Sequence, residues 1–190
     1  AMTLPDRAGR PHRRSTALAC VLSLSSIAAC ESSKPVPAPP PPVAVAFQQD
    51  DEGGSGSGAA VYLRGRIEAD RVIVDVHARG ASDVHGVAFR LRWNPVRLAL
   101  VEARASDAWS KQALLLAKEG TPGELVVAWT EKGAGAAIDA REDTRLGSID
   151  FTLKTREGAA LGFRADRSMM VDSKGVSIPV AWRGGQVAAR

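Results

Sequence analysis

Cysteine is nearly missing from this 190-residue chain: there are two, Cys20 and Cys30, and none after position 30. A disulfide, a thiolate nucleophile and a cysteine-held metal are therefore excluded from everything beyond that point. Histidine is scarce too, at three, and the two beyond position 30, His77 and His85, do not have the helical spacing by which paired histidines bind zinc. No serine sits in a nucleophile-elbow sequence. Gly133-Ala134-Gly135 superficially matches part of a dinucleotide loop, but no βαβ unit surrounds it. These absences point away from an enzyme and from any cofactor. Neither charge sign dominates either: 25 Lys and Arg stand against 21 Asp and Glu. From Ala60 onward the signs alternate along the chain, without the basic clusters and interleaved aromatics of a nucleic-acid surface. A solvated, arginine-rich exterior is expected, with no nucleic-acid partner.

What is present begins at the amino terminus. Arg7, Arg10, Arg13 and Arg14 precede an uncharged, mostly apolar run from Ser15 to Ala29 that closes on Ile27-Ala28-Ala29-Cys30. That run is short of the roughly 20 residues of a membrane span, and it has the plan of an export signal. The closing tetrapeptide resembles the bacterial lipobox. The resemblance implies removal of residues 1–29 and a diacylglyceryl group on the Cys30 thiol. Cys20 fits less well, because Leu18 comes one place too late. Glu31 rather than Asp follows Cys30, which by the enterobacterial rule implies the outer membrane, on its periplasmic face or at the cell surface. The expected localisation is thus the cell envelope, by lipid anchor alone.

Residues 30–59 read as a linker. Lys34–Pro42 (KPVPAPPPP) favours an extended polyproline form of about 3.1 Å per residue, and Gly53–Gly58 (GGSGSG) is a flexible run. An exported domain without disulfides must then be held by its core, and residues 60–190 carry the pattern for one. Val61, Leu63 and Ile67 share parity, as do Val72, Val74 and Val76. Val87, Phe89, Leu91 and Trp93 alternate with Ala88, Arg90 and Arg92, a half-buried strand that Asn94-Pro95 ends. Lys111–Lys118 (KQALLLAK) has helix-favouring residues, but it is short. Gly120-Thr121-Pro122-Gly123 links it to Glu124–Thr130 as a hairpin would, so it is read as a strand. Further strands are expected at Leu98–Ala103, Leu146–Thr155, Leu161–Arg164, Ser168–Val171, Val176–Trp182 and Gln186–Ala189. About nine short strands and no long helix mean an all-β sandwich.

The order of these signals resembles the cohesin domain, a nine-stranded jelly-roll β-sandwich related to certain carbohydrate-binding modules. In that family the third strand ends in an aromatic, then Asp-Pro, then an aliphatic strand. Gly86–Leu100 (GVAFRLRWNPVRLAL) follows the plan, with Trp93 for Tyr and Asn94 for Asp. LGSIDFTLK (Leu146–Lys154) and VDSKGVSIPVAWRGGQV (Val171–Val187) match later family features. The resemblance implies a non-catalytic protein-binding domain whose partner is a dockerin or another envelope protein. In cellulosomal cohesins a calcium-loaded dockerin docks on the outer face of strands three, five, six and eight. By parity that face would here carry Ala88, Arg90 and Arg92 from strand three, and Val126, Ala128 and Thr130 from strand six.

A carbohydrate-binding module is the other reading. Trp93, Trp129 and Trp182 share parity with core positions, which leaves Trp109 and Tyr62 as candidate rings for stacking on a glycan. Asp75 and His77 lie on one side of their strand, so a contact between them is expected as ordinary surface pairing. Asp139, Glu142 and Asp143 cluster in one loop and Asp166 and Asp172 flank another, but their spacing matches no EF-hand. They are read as solvated charges, with no metal site and a monomeric chain.

Overall fold

The structure is a computed structural model that describes residues 44–50, 58–133 and 136–189. The expected signal peptide, Cys30 and most of the expected linker lie outside the described residues. Two sheets face each other, as the period-two alternation requires. The strands are β1 (Val45–Gln49), β2 (Ala60–Glu68), β3 (Arg71–Arg79), β4 (Ala81–Trp93), β5 (Leu98–Ala105), β6 (Leu114–Glu119) and β7 (Glu124–Thr130). They continue as β8 (Ile138–Ala140), β9 (Thr144–Leu153), β10 (Ala159–Phe163), β11 (Met169–Asp172), β12 (Ala181–Arg183) and β13 (Gly185–Ala189). A 3-10 turn spans Ala165–Arg167.

One sheet runs β1-β13-β10-β4-β7-β6, with β11 and β8 also paired to β4. The other runs β12-β2-β3-β9-β5, antiparallel except where β12 joins β2. The 13-residue β4 is the spine of the larger sheet: β8 and β7 lie along one side of it, β11 and β10 along the other. Its Val87, Phe89, Leu91 and Trp93 point inward beside Val127 and Trp129 of β7, to meet Val72, Val74, Val76, Ile149 and Phe151 of the opposite sheet. Aromatic edges lock this core. Phe89 meets Trp129 and Phe163 edge-on at centroid distances of 5.7 and 5.3 Å, and Trp93 meets Phe151 at 5.2 Å. Gly147 leaves room for the Trp129 indole, since a Cβ there would lie 2.3 Å from its ring.

The all-β sandwich is therefore observed, with more strands than the nine expected. Lys111–Lys118 is a strand in its second half, and the Gly120–Gly123 turn closes through Gly120 N–H to the Glu124 carbonyl at 2.9 Å. Val176–Trp182 is mostly irregular, retaining one bridge at Ser177 and, at its end, Ala181 and Trp182 of β12. The boundary at residue 60 needs correction. Val45–Gln49, assigned above to the linker, is a strand in register with Gly185–Ala189. Phe47 turns inward with Val187, and its ring fills a slot left by two glycines. A Cβ on Gly65 would lie 2.2 Å from that ring and one on Gly185 2.5 Å. The folded domain thus includes β1, which both extends one sheet and packs on the other.

Candidate functional site

The outward surfaces of the two sheets differ in chemistry. On the larger sheet the register aligns β11, β4, β7 and β6 into rows. Val171, Gly86, Thr130 and Leu114 form one row, and Met169, Ala88, Ala128 and Leu116 the next. Leu114, Leu116 and Met169 are 66, 52 and 51 % exposed. Gly86, Ala88, Ala128, Thr130, Met169 and Val171 surround a shallow, almost wholly apolar depression of about 110 Å³. Small residues on the two central strands create it, because large ones stand on the flanking strands. The backbone groups of β4 and β7 are paired on both sides, so anything seated here meets side chains rather than an open strand edge.

Farther along the same strands the face turns basic. Arg90, Val126 and Lys118 form the third row, then Arg92 and Glu124. The Glu124 carboxylate is nearly buried and three guanidinium groups converge on it, from Arg90 at 2.8 Å, Arg92 at 3.6 Å and Arg164 at 4.0 Å. Ser168 fixes this corner by accepting from Arg90 N–H and donating to the Arg164 carbonyl at 2.7 Å. The register brings all six positions derived from parity, Ala88, Arg90, Arg92, Val126, Ala128 and Thr130, onto this one surface. Parity alone did not supply Met169, Val171, Leu114, Leu116, Glu124 or Arg164. The three consecutive leucines of an edge strand, which cannot all face a core, were the available signal.

The outer surface of the smaller sheet is occupied by its own charges. Arg66 bridges Glu68 at 3.1 Å and Asp75 at 2.9 Å, Arg145 reaches Asp75, and Arg71 and Arg104 both hold Asp150. Asp143 binds Arg64, the Tyr62 hydroxyl and His77 Nδ1, the last at 2.6 Å. The expected Asp75–His77 contact is thus replaced: the histidine takes Asp143 and Asp75 takes two arginines. Burial, and then the hydrogen bond to Asp143, push the Tyr62 phenol up to about 12. Burial works to raise Asp143. The hydrogen bonds from Tyr62 and His77 and the nearby positive charges outweigh it, so its carboxyl lies below the usual range.

Both candidate stacking rings are misplaced for a glycan. Tyr62 is 3 % exposed, stacked on His77 at 5.6 Å and covered by the guanidinium groups of Arg64 and Arg79. Trp109 is 5 % exposed, with its edge toward Trp129 and its N–H donated to the Leu146 carbonyl at 2.8 Å. Tyr62 does point outward, as its parity requires, but arginine stems close over it. The acidic loops do not converge on a common point. Asp139 pairs with Arg141, Asp166 with Arg164, and Asp172 caps its own turn by accepting from Lys174 and Val176 N–H. No group of three metal-ligating side chains occurs among the described residues.

No protein-family model and no curated protein matches this chain. Solved structures do. The sixth cohesin of Acetivibrio cellulolyticus scaffoldin B, in complex with a Cel5 dockerin, superposes with a TM-score of 0.62 at 14 % identity, over 70 % of this chain and 99 % of that one. CaCohA2 of Clostridium acetobutylicum gives 0.57 at 16 % identity, over 67 % and 88 %. The non-cellulosomal cohesin of the archaeon Archaeoglobus fulgidus gives 0.55 at 17 %, over 67 % and 88 %. The domain has a cohesin-like fold.

Proposed function

We propose that this domain is a non-catalytic protein-binding module that docks a dockerin-like partner on the outer face of β11, β4, β7 and β6. We further propose that a lipid on Cys30 tethers it to the bacterial envelope. The contrast between the two outer surfaces carries the docking reading. One is saturated by internal ion pairs. The other exposes leucine and methionine around small residues, with arginines at its margin. A contiguous apolar patch rimmed by polar groups marks an interaction surface on an otherwise solvated protein. Cohesins of the same fold occur in complex with dockerins, which supports a partner of that kind.

The topology supports access as well. β1, which follows the proline-rich segment, lies at the edge of the sheet opposite β6. Five inter-strand steps of about 4.8 Å put it roughly 24 Å from that edge. The proposed tether would therefore join the domain at the sheet edge away from β6. Affinity capture from envelope extracts tests the reading. Ala128→Arg, which fills the depression, should lose a partner that the wild-type chain recovers. Thr152→Arg, on the outer surface of the smaller sheet, should keep it. Equal recovery by both variants would count against this face.

A further inference from the structure

We infer that β6 pairs with the β6 of a second copy of this chain, antiparallel and centred on Leu115, so that the larger sheet continues from one molecule into the next. The pairing uses the open edge of the sheet rather than its outer face. It does not depend on the docking reading, and it replaces the monomer expected from the sequence.

The two sheets end at β1 and β6 and at β12 and β5. Unpaired edges invite further strands, and folded chains blunt them with bulges, charges or short length. β12 has three residues. β5 shifts register at Val101 and carries the Glu102–Arg104 ion pair. β1 is drawn onto the smaller sheet by Phe47. β6 has none of these devices. It pairs with β7 in unbroken register, and Leu114–Ala117 carry no charge. Leu114, Leu115 and Leu116 are 66, 49 and 52 % exposed. Leu115 is in register with the buried Trp129, so it points to the inner side of the sheet, where the smaller sheet leaves it half uncovered.

The hydrogen-bond phase frees the backbone groups that such a pairing needs. Gly120 N–H donates to the Glu124 carbonyl at 2.9 Å, and bonded pairs recur at every second residue of an antiparallel ladder. Lys118, Leu116 and Leu114 therefore direct their backbone groups to β7. The alternate residues of β7 bond to β4, as two further bonds require: Trp93 N–H to the Gly123 carbonyl at 3.0 Å and Glu131 N–H to the His85 carbonyl at 2.8 Å. The N–H and C=O of Leu115 and Ala117 thus face the open edge.

The sequence then selects the occupant, because Ala113–Ala117 reads ALLLA in both directions. Two copies turned antiparallel about Leu115 set Leu115 opposite itself, Leu114 opposite Leu116 and Ala113 opposite Ala117. Leu115 N–H donates to the second copy's Leu115 carbonyl and Ala117 N–H to its Ala113 carbonyl, each reciprocally. The Ala113 N–H is not needed, being held by the Ser110 carbonyl at 3.1 Å. Lys111, in the turn before β6, comes opposite Glu119 at both ends of the pair. Moving the centre to Leu116 would set Lys118 against Leu114 and leave Lys111 and Glu119 unmatched, so charge fixes the register. Centring between residues would oppose free backbone groups to ones already bonded. Opposed residues of an antiparallel pair share a face, so the two outer faces point the same way. Their β7 strands lie three inter-strand steps, or about 14 Å, apart.

Sedimentation velocity over a wide concentration range tests this on the full mature chain, expressed without a lipid and kept reduced to exclude a Cys30 disulfide. One strand pair is a small interface, so a reversible monomer–dimer equilibrium is expected rather than a permanent dimer. Ala117→Pro removes an N–H that faces the open edge, where proline is tolerated. It should abolish the dimer and leave the near-ultraviolet circular dichroism of the fold unchanged. Glu119→Lys should weaken the dimer about fivefold or more, since like charges then oppose each other at both ends. Adding Lys111→Glu to that variant should restore wild-type association, a test that holds even if Ala117→Pro fails to fold. A wild-type chain that stays monomeric at every concentration would overturn the inference. Dimers that persist in folded Ala117→Pro, or charge reversal without rescue, would do the same. Each of these results leaves the docking reading to its own capture experiment.

Discussion

Phe47→Ala is expected to destabilise the domain by about 2 kcal/mol, although residue 47 lies beside a proline-rich stretch. Full burial of a phenylalanine in a core is worth roughly 3–5 kcal/mol on truncation, and Phe47 is about half-buried. The geometry allows a sharper test than one substitution. A methyl group on Gly65 would sit 2.2 Å from the Phe47 ring, so Gly65→Ala must expel the ring, at a cost of about 1–3 kcal/mol from overpacking. Once Phe47 is alanine the slot is empty. Gly65→Ala should then be neutral, or stabilising by about 0.5–1 kcal/mol, because alanine restrains the unfolded chain. The two substitutions should therefore couple by at least about 1 kcal/mol. Urea unfolding followed by tryptophan fluorescence on the four variants measures this. A Phe47→Ala chain within about 0.5 kcal/mol of wild type, with the pair additive, would mean that β1 is not seated and that the linker extends to residue 59.

Tyr62 is the chain's one tyrosine, so phenolate absorbance reports it alone; the midpoint should lie near 12, and Asp143→Asn should bring it back toward 10. Because the folded value is raised, the stability it contributes is complete below pH 10 and is lost as pH rises through about 12; a wild-type midpoint at 10 would refute the buried Tyr62–Asp143 contact. Trp109→Ala should lower stability by about 3–5 kcal/mol in thermal unfolding, since it empties a core site; an unchanged melt would show the ring to be exposed. Mass spectrometry of the membrane fraction should find diacylglyceryl on Cys30 at the mature amino terminus, and an unmodified Cys30 there would end the tethering proposal.

The fold was legible wherever one side of a strand is buried and the other wet. β4 shows this best, because Val87, Phe89, Leu91 and Trp93 leave no alternative register. Legibility failed where burial comes from distant residues. Tyr62 obeys parity and faces outward, yet Arg64, Arg79 and the far-off Asp143 enclose it. Trp109 follows β5 in a loop, and Trp129 and the Leu146 carbonyl bury it. β1 is five residues long, too short for alternation to stand out beside the prolines, and the glycines that receive Phe47 lie 18 and 138 positions away. On the proposed docking face, parity identified the two central strands because their other side is core. The flanking strand β6 stayed ambiguous, since all six of its residues are exposed and a buried face never sets its phase.

The central claim is that one of two outer surfaces meets a protein while the other does not, and site-specific photo-crosslinking in living cells addresses it most directly. A benzophenone amino acid in place of Leu116 or Met169 should give a discrete protein adduct, while the same group in place of Arg66, amid the ion pairs of the smaller sheet, should give none. Adducts from position 66 without any from 116 or 169 would contradict the account.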